Sequence, residues 1–526
     1  MTRARLAFGA AVMALGTAVS LWGCASQPAV GATQQAAATQ QAPAHPEQAL
    51  LEELVLANRM LARELAILDI QGHATVRSKI NPNHYYIARF LSPGGLTTSD
   101  IIENDLDSKP VGGPRNDQAR EIYLHGEIYK ARPDVMATVH AHTPEFVAYG
   151  MSSVPLWHGA TILPVWDIRP FNKGRSGIVS TPALGKAMAE KLGRSEAVLL
   201  WGHGIAVTGS SLSDAVNRAN DLRNTARVQQ AVIAMGGSWK VPAEAGANDG
   251  TSERTWEYLK KVELKNMGGH VLTTPEPTPV KPSDPDAATA HDVVLANRIL
   301  ASDELGIFDA FGHVSIRNPR NSNSYFVAPG VAAGAVTARD VIQRDVTKPG
   351  NDSQGLSIDD EIYKARPDVM AVLYARTPEV VAFSQGSPQL RPVVNGGAFI
   401  GDGLPVFNVS GLDPKQPILS NPALGRGVAS SLAKKPGVLL SGHGFVLTAR
   451  SVYNLVDQAY QLRMNAKIQQ QAMALRGKVA HLDDKLAAAP PQADEPPANG
   501  PQQPAAQLGP PEGRSWIYWS QNVPVD

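Results

Sequence analysis

The sequence predicts an α/β protein in which one layered α/β/α domain occurs twice in tandem. Three observations carry this. Segments with apolar residues at helical spacing alternate with short β-type runs. The chain repeats its own motifs at a nearly constant interval, and proline-rich stretches separate the repeats. At 526 residues the chain is too long for one ordinary core and long enough for two or three domains.

The repeat is direct. Glu127–Ala137 reads EIYKARPDVMA, and Glu361–Ala371 reads the same. Gly202-His203-Gly204 returns as Gly442-His443-Gly444, and Pro182-Ala183-Leu184-Gly185 as Pro422-Ala423-Leu424-Gly425. Ala57-Asn58-Arg59 returns as Ala296-Asn297-Arg298, and Arg254-Thr255-Trp256 as Arg514-Ser515-Trp516. Repeats this long are whole domains, not units of a solenoid. The boundaries follow: domains over 48–270 and 289–485, a proline-rich linker over 271–288, a low-complexity stretch over 486–513 and an aromatic segment over 514–526.

Taken in order, the first copy opens with a helix over Leu51–Leu65, apolar at helical spacing. Strands follow around Ala74–Arg77 and Tyr85–Leu91. A second helix is expected over Gln118–Lys130, with Asp117 as N-cap and Pro133 beyond its end. Val135–His142 reads as a strand, and Ala197–Val207 as another interrupted by Gly202 and Gly204. A long helix runs from about Ser213 to Met235.

Composition excludes several classes. Hydrophobic residues make up 43%, the level of a soluble globular protein, and Lys+Arg and Asp+Glu both count 48. That balance offers nothing to a nucleic acid or to an anionic membrane surface. The N-terminus reads as an export signal over 1–24: Arg3 and Arg5, then an apolar Leu6–Leu21, then Leu21-Trp22-Gly23-Cys24. The last four residues resemble a bacterial lipobox, which makes Cys24 a lipidation candidate and predicts a periplasmic, membrane-anchored lipoprotein. An Ala/Gln/Pro linker follows over 25–47. Cys24 is the one cysteine, so any metal must be held by His, Asp, Glu or water.

In a strand, residues i and i+2 share a face, so His140 and His142 present two imidazoles side by side. His203, between two glycines, sits where the backbone can bend to aim a third imidazole at them. Three histidines with open positions describe a catalytic divalent-metal site. Zinc is the first choice, with Mn, Fe, Co and Ni also compatible. The second copy has Tyr374 and Arg376 where the first has His140 and His142, yet keeps the neighbours Thr377-Pro378-Glu379. The fold therefore does not need the imidazoles, which argues for a function in copy one. Glu121, nineteen residues before His140, is the candidate general base or a resting fourth ligand. His125 lies one helical turn further on.

These motifs together resemble the class II aldolase/adducin family: Arg120-Glu121-Ile-Tyr, Lys130-Ala131-Arg132-Pro133-Asp134, His140-x-His142 and Gly202-His203-Gly204. The resemblance covers nearly all of both copies. It implies a three-layer α/β/α domain around a mostly antiparallel sheet, a metal held by His140, His142 and His203, and Glu121 as the catalytic glutamate. It also implies carbon–carbon lyase chemistry, aldolase or decarboxylase in type, through a metal-stabilised enolate. Where the family's sugar-phosphate aldolases place amide and hydroxyl donors for a phosphate, this chain has His73, Gly94-Gly95 and Ala119-Arg120. A small carbonyl or carboxylate substrate is expected instead, with Arg120 able to grip a carboxylate. The substrate-contact candidates are thus Arg120, His73, Gly94, Gly95 and His125, with His158, Trp157 and Trp166 as further wall residues. A binding protein or an adducin-like structural module is the alternative. The two copies are expected to pair within the chain, so that the second forms a wall of the pocket, and the chain to assemble further.

Overall fold

A computed structural model of the chain describes residues 45–115, 117–171, 178–239, 251–268, 280–309, 312–348, 356–386, 388–409, 422–475 and 513–523. Cys24 and the expected export signal lie outside them. Among the described residues no helix is long and apolar enough to cross a membrane.

In copy one, α1 (Gln48–Arg63) leads into β1 (His73–Arg77), β2 (His84–Ala88) and β3 (Ile101–Asp105). Then come α2 (Ile122–Ala131), β4 (Ala137–Ala141) and α3 (Pro144–Met151). Three two-residue strands follow: β5 (Trp157–His158), β6 (Thr161–Ile162) and β7 (Val165–Trp166). The copy closes with α4 (Pro182–Leu192), β8 (Ala197–Leu200), β9 (Gly204–Gly209), α5 (Leu212–Ala234) and α6 (Thr251–Asn266). The sheet order is β3-β2-β1-β4-β9-β8-β7, antiparallel except where β7 meets β8.

Alternation along the strands creates the layers. Ala74, Val76, Val139, Ala141, Leu199 and Val207 pack with α1, α3, α5 and α6 on one face. Tyr85, Ile87, Val198, Leu200 and Ala206 pack with α2 and α4 on the other. The repeated Ala-Asn-Arg fastens the first helix to the sheet. Asn58 Oδ1 accepts the Ala74 amide at 2.8 Å, and Asn297 Oδ1 accepts the Val314 amide at 3.2 Å. Ser211 caps α5 by accepting the Asp214 amide, a bond worth about 1 kcal/mol.

Copy two repeats the order as α7 (Pro285–Ala301), β10 (His313–Arg317), β11 (Ser324–Val327), β12 (Ile342–Asp345), α8 (Ser357–Ala365) and β13 (Ala371–Ala375). It continues through α9 (Pro378–Val381), β14 (Val406–Phe407), α10 (Pro422–Leu432), β15 (Gly437–Leu440), β16 (Gly444–Ala449) and α11 (Val452–Ala474). Its sheet runs β12-β11-β10-β13-β16-β15-β14, strand for strand the order of copy one. A final helix spans Gly513–Gln521.

Three sequence expectations are corrected. Helix α2 begins at Ile122, not near Gln118, because Asp117 is already engaged. Its carboxylate accepts both arms of Arg115, its carbonyl accepts the Phe90 amide, and Gln118 bridges Arg89. Strand β2 ends at Ala88 rather than Leu91, since the chain turns into Pro93-Gly94-Gly95. Helix α7 opens at Pro285, inside the stretch expected to be linker, because Asp284 caps it through the Asp286 and Ala287 amides.

Glu47–Asp526 forms one compact unit, and the copies share core residues across their boundary. Ala472 of α11 and Leu475, just past its end, belong to the core of copy one, and Ile70 belongs to that of copy two. Val147 and Met151 meet Val393 and Ile468 in a separate apolar cluster.

Candidate metal centre

Residues directly opposite in an antiparallel pair share a face, and β1 pairs with β4 so that His73 faces His140. Both therefore project toward the layer that holds α2. His140 is fully buried, and its Nδ1 lies 3.0 Å from the Ile205 carbonyl. A carbonyl only accepts, so Nδ1 carries the proton and Nε2 keeps a free lone pair. His142 stands just past the end of β4, one residue beyond the strand. Its Nδ1 donates to Asp69 Oδ1 at 3.0 Å, which again leaves Nε2 as the acceptor.

His203 arrives through the β8–β9 turn. Gly202 has φ +62°, and a Cβ on Gly204 would strike the Ala141 carbonyl, so both glycines are required where the turn crosses β4. The same turn persists at Gly442 and Gly444 in copy two, so its backbone role is independent of the imidazoles.

Glu121 is the residue just before α2, not on the helix face. One oxygen, Oε1, accepts the Val179 amide at 2.9 Å. The other, Oε2, lies 3.2 Å from both His140 Nε2 and His203 Nε2. The three Nε2 atoms are mutually 3.0, 3.1 and 3.3 Å apart. A tetrahedral ion with bonds of about 2.0 Å would set its nitrogen ligands roughly 3.3 Å apart. The lone pairs of His140 and His142, gathered this closely beside a carboxylate, repel one another unless a cation or proton sits among them. The donor set therefore fits a divalent metal, and it is the one such group among the described residues.

Without a metal, burial would raise the Glu121 carboxyl, but protons shared with the His203 and His140 imidazoles hold it well below the usual carboxylate range. Asp69 behaves alike: burial opposes ionisation, and His142 with the Gly72 and Gln71 amides overcomes it. Burial and the nearby His140 push His73 down to about 3, partly offset by Glu121. Burial also holds His125 well below the ordinary histidine value, with His73 and His140 adding to it.

The other sequence candidates scatter. His73 and His125 border the cluster, their ring centroids 4.7 Å apart and that of His73 5.6 Å from His140. Arg120 is exposed, its guanidinium 5.4 Å from the centroid of the Phe90 ring, and is not one of the four clustered groups. Gly94 packs against Tyr518 of the C-terminal helix, which would collide with any Cβ there, and Gly95 touches the same ring. His158 pairs with Glu196, and Trp157 and Trp166 lie on β5 and β7.

Sequence reasoning missed Asp69 and the Val179 amide. Asp69 did leave a signal: Ile67-Leu68-Asp69 with Gly72-His73 returns as Ile307-Phe308-Asp309 with Gly312-His313. In copy two Asp309 grips Arg376, the counterpart of His142, at 2.6 Å.

Comparison with known proteins gives one family. The model of the class II aldolase and adducin N-terminal domain matches residues 52–230 and again 291–470, more than half of the chain. A decarboxylase, TropJ of Talaromyces stipitatus, is 29% identical over 197 residues, covering 34% of this chain and 74% of that protein. The 3,4-dihydroxyphthalate decarboxylase of Arthrobacter keyseri is 29% identical over 205 residues, covering 36% and 81%. Among solved structures, an aldolase II superfamily protein from Pseudomonas syringae is 22% identical with a TM-score of 0.35, covering 43% of this chain and 96% of that one.

Proposed function

This chain belongs to the class II aldolase and adducin family, and from that premise we propose that it is a metal-dependent carbon–carbon lyase of the decarboxylase type. Its substrate on this reading is a small carboxylic acid, not a sugar phosphate. The observation that carries the proposal is the convergence of three histidine Nε2 atoms beside the Glu121 carboxylate, His140 and His203 at 3.2 Å from Oε2 and His142 at 3.9 Å. The decarboxylases among its relatives support the choice of reaction.

His140, His142 and His203 would hold the metal, with zinc the first choice. When bound, such an ion supplies Lewis-acid stabilisation of negative charge developing on substrate oxygen. The Ile205 carbonyl and Asp69 fix the tautomers of His140 and His142, so those rings need no reorganisation to bind. The Val179 amide anchors Glu121 Oε1 and leaves Oε2 as a deprotonated base. That oxygen can accept a proton from the substrate and return it to the carbon left when carbon dioxide departs.

The test is turnover. The full chain, loaded in turn with Zn, Mn, Fe, Co and Ni, is assayed for carbon dioxide release from hydroxyaryl carboxylic acids and for aldol cleavage of hydroxyketones. Metal binding with no turnover in either panel would refute the enzyme reading and favour a binding protein. We propose separately that the N-terminal export signal carries the enzyme out of the cytoplasm and that Cys24 anchors it to the membrane. The mass of the mature N-terminus checks this.

A further inference from the structure

Beside the metal cluster lie two imidazoles that none of the steps above uses. His73 is 7% exposed and His125 0%, and the Nε2 atom of each is buried without a hydrogen-bond partner. A buried polar atom left unpaired costs about 1–3 kcal/mol, so two in adjoining rings need an explanation.

His73 Nδ1 lies 3.0 Å from the Gln71 carbonyl and must donate to it, so His73 Nε2 is an acceptor. His125 Nδ1 ends a buried hydroxyl chain. The Tyr129 hydroxyl is 2.8 Å from Thr75 Oγ1, which is 2.7 Å from Thr138 Oγ1, which is 2.5 Å from His125 Nδ1. Thr75 Oγ1 also lies 3.3 Å from His125 Nδ1; taking the Tyr129 phenol as the first donor, with each hydroxyl donating onward, His125 Nδ1 accepts and its Nε2 carries the proton as a donor. One acceptor and one donor thus stand side by side, in rings 4.7 Å apart.

Copy two supplies an internal control. His313 replaces His73, and Asp359 stands where copy one has His125. His313 Nε2 bonds Asp359 Oδ2 at 3.0 Å, so the slot is filled by the protein itself. The unmatched pair occurs in the copy that has the metal cluster.

We propose that His73 and His125 read a hydroxyl group on the substrate: the hydroxyl donates to His73 Nε2 and accepts from His125 Nε2–H. The substrate class is then a hydroxy-carboxylic acid, and an acid with the two groups on adjacent carbons is the probe. This rests on the carboxylate-lyase reading. An ordered water could satisfy the same two atoms, and the test separates the two.

Benzoate, 2-hydroxybenzoate and 2-methoxybenzoate are titrated calorimetrically into the zinc-loaded full chain. The hydroxy acid is expected to bind roughly 10-fold or more tighter than benzoate, and the methoxy acid no better than benzoate. His73→Asn and His125→Asn each keep the Nδ1 half of the ring and delete Nε2. Both should leave the zinc content unchanged and bring the preference for the hydroxy acid to within about two-fold. Three equal affinities in the wild type would mean that a water fills the slot, and would overturn the inference alone. Full preference retained in both variants would mean that the metal itself reads the hydroxyl, with the same consequence. Failure of all three acids to bind the zinc-loaded protein would overturn the carboxylate-lyase reading together with the inference.

Discussion

Removing the Asp69 carboxylate tests whether the metal centre is built from more than its four converging groups. Asp69 Oδ1 accepts three bonds, from His142 Nδ1 at 3.0 Å and from the Gln71 and Gly72 amides at 3.0 and 2.7 Å. Asp69→Asn keeps an oxygen for all three but removes the charge that makes His142 a stronger donor to a cation. Asp69→Ala removes the oxygen as well and frees the ring to rotate. Groups that orient metal-bound histidines typically contribute 10–100-fold to affinity. The Asn variant is expected near the lower figure and the Ala variant near the upper, or roughly 1.4 and 2.7 kcal/mol. Competition with a chromophoric chelator measures both. An Ala variant whose zinc affinity stays within two-fold of wild type would refute the reasoning, since His142 would then be positioned by the strand end alone.

Four further outcomes are expected. Glu121→Gln should keep the metal and lose roughly 10²–10⁴ in turnover, measured on whichever acid is decarboxylated; unchanged turnover would move the proton elsewhere, with His125 the next suspect. Metal analysis should return one equivalent per chain, abolished by His140→Ala and untouched by His443→Ala, because the described residues hold one cluster. The metal-free protein should lose stability as pH falls below about 6.5, by up to ~1.4 kcal/mol per pH unit for each of His73 and His125. Their folded pKa values lie below the unfolded one, so the unfolded chain takes up protons first, and the depressed carboxyls of Glu121 and Asp69 extend the loss at lower pH. A urea midpoint unchanged between pH 7.5 and 5.5 in chelator would contradict this. Residues 48–270 expressed alone should aggregate or lose metal-dependent activity, and addition of residues 280–526, which keep the capped start of α7, should restore them; a soluble, fully active fragment would show that the second copy is dispensable.

The cluster was legible because two local rules suffice to build most of it. A strand puts His140 and His142 on one face, and a glycine-flanked bend aims His203. The repeat then removed the structural explanation, since copy two keeps the backbone without the imidazoles. What stayed hidden depends on contacts that leave no local periodicity. Asp69 reaches His142 across 73 residues of sequence, and the Val179 amide reaches Glu121 across 58. The start of α2 was misplaced because Asp117 looks like a cap, and its real partners, Arg115 and Phe90, reflect the fold of the preceding loop. The strands β5, β6 and β7 are two residues each, too short to carry a period. Gly94-Gly95 read as a substrate loop, whereas the residue against it, Tyr518, comes from the far end of the chain.

The second copy is best understood from how its altered residues settle. Arg376, in place of His142, is held by Asp309, and Asp359, in place of His125, takes both Ser315 and His313. Two lost site residues, His142 and His125, have thus been replaced by groups that satisfy a neighbour within copy two. Copy one depends on copy two. Ala472 and Leu475 complete its core, and fully burying a leucine side chain stabilises by roughly 1.5–3 kcal/mol. Near the site, the Val393 carbonyl stands against Gly202, the neighbour of His203. Burial holds the phenol of Tyr460 in α11 protonated, and the charge of Asp69, which orients His142, adds to it. The turn that delivers one histidine therefore abuts copy two, and the carboxylate that orients another acts on it electrostatically. A sequence free to lose its own chemistry, but not the faces it presents to its twin, would drift in the way this one has: ligands replaced, turns and packing motifs retained.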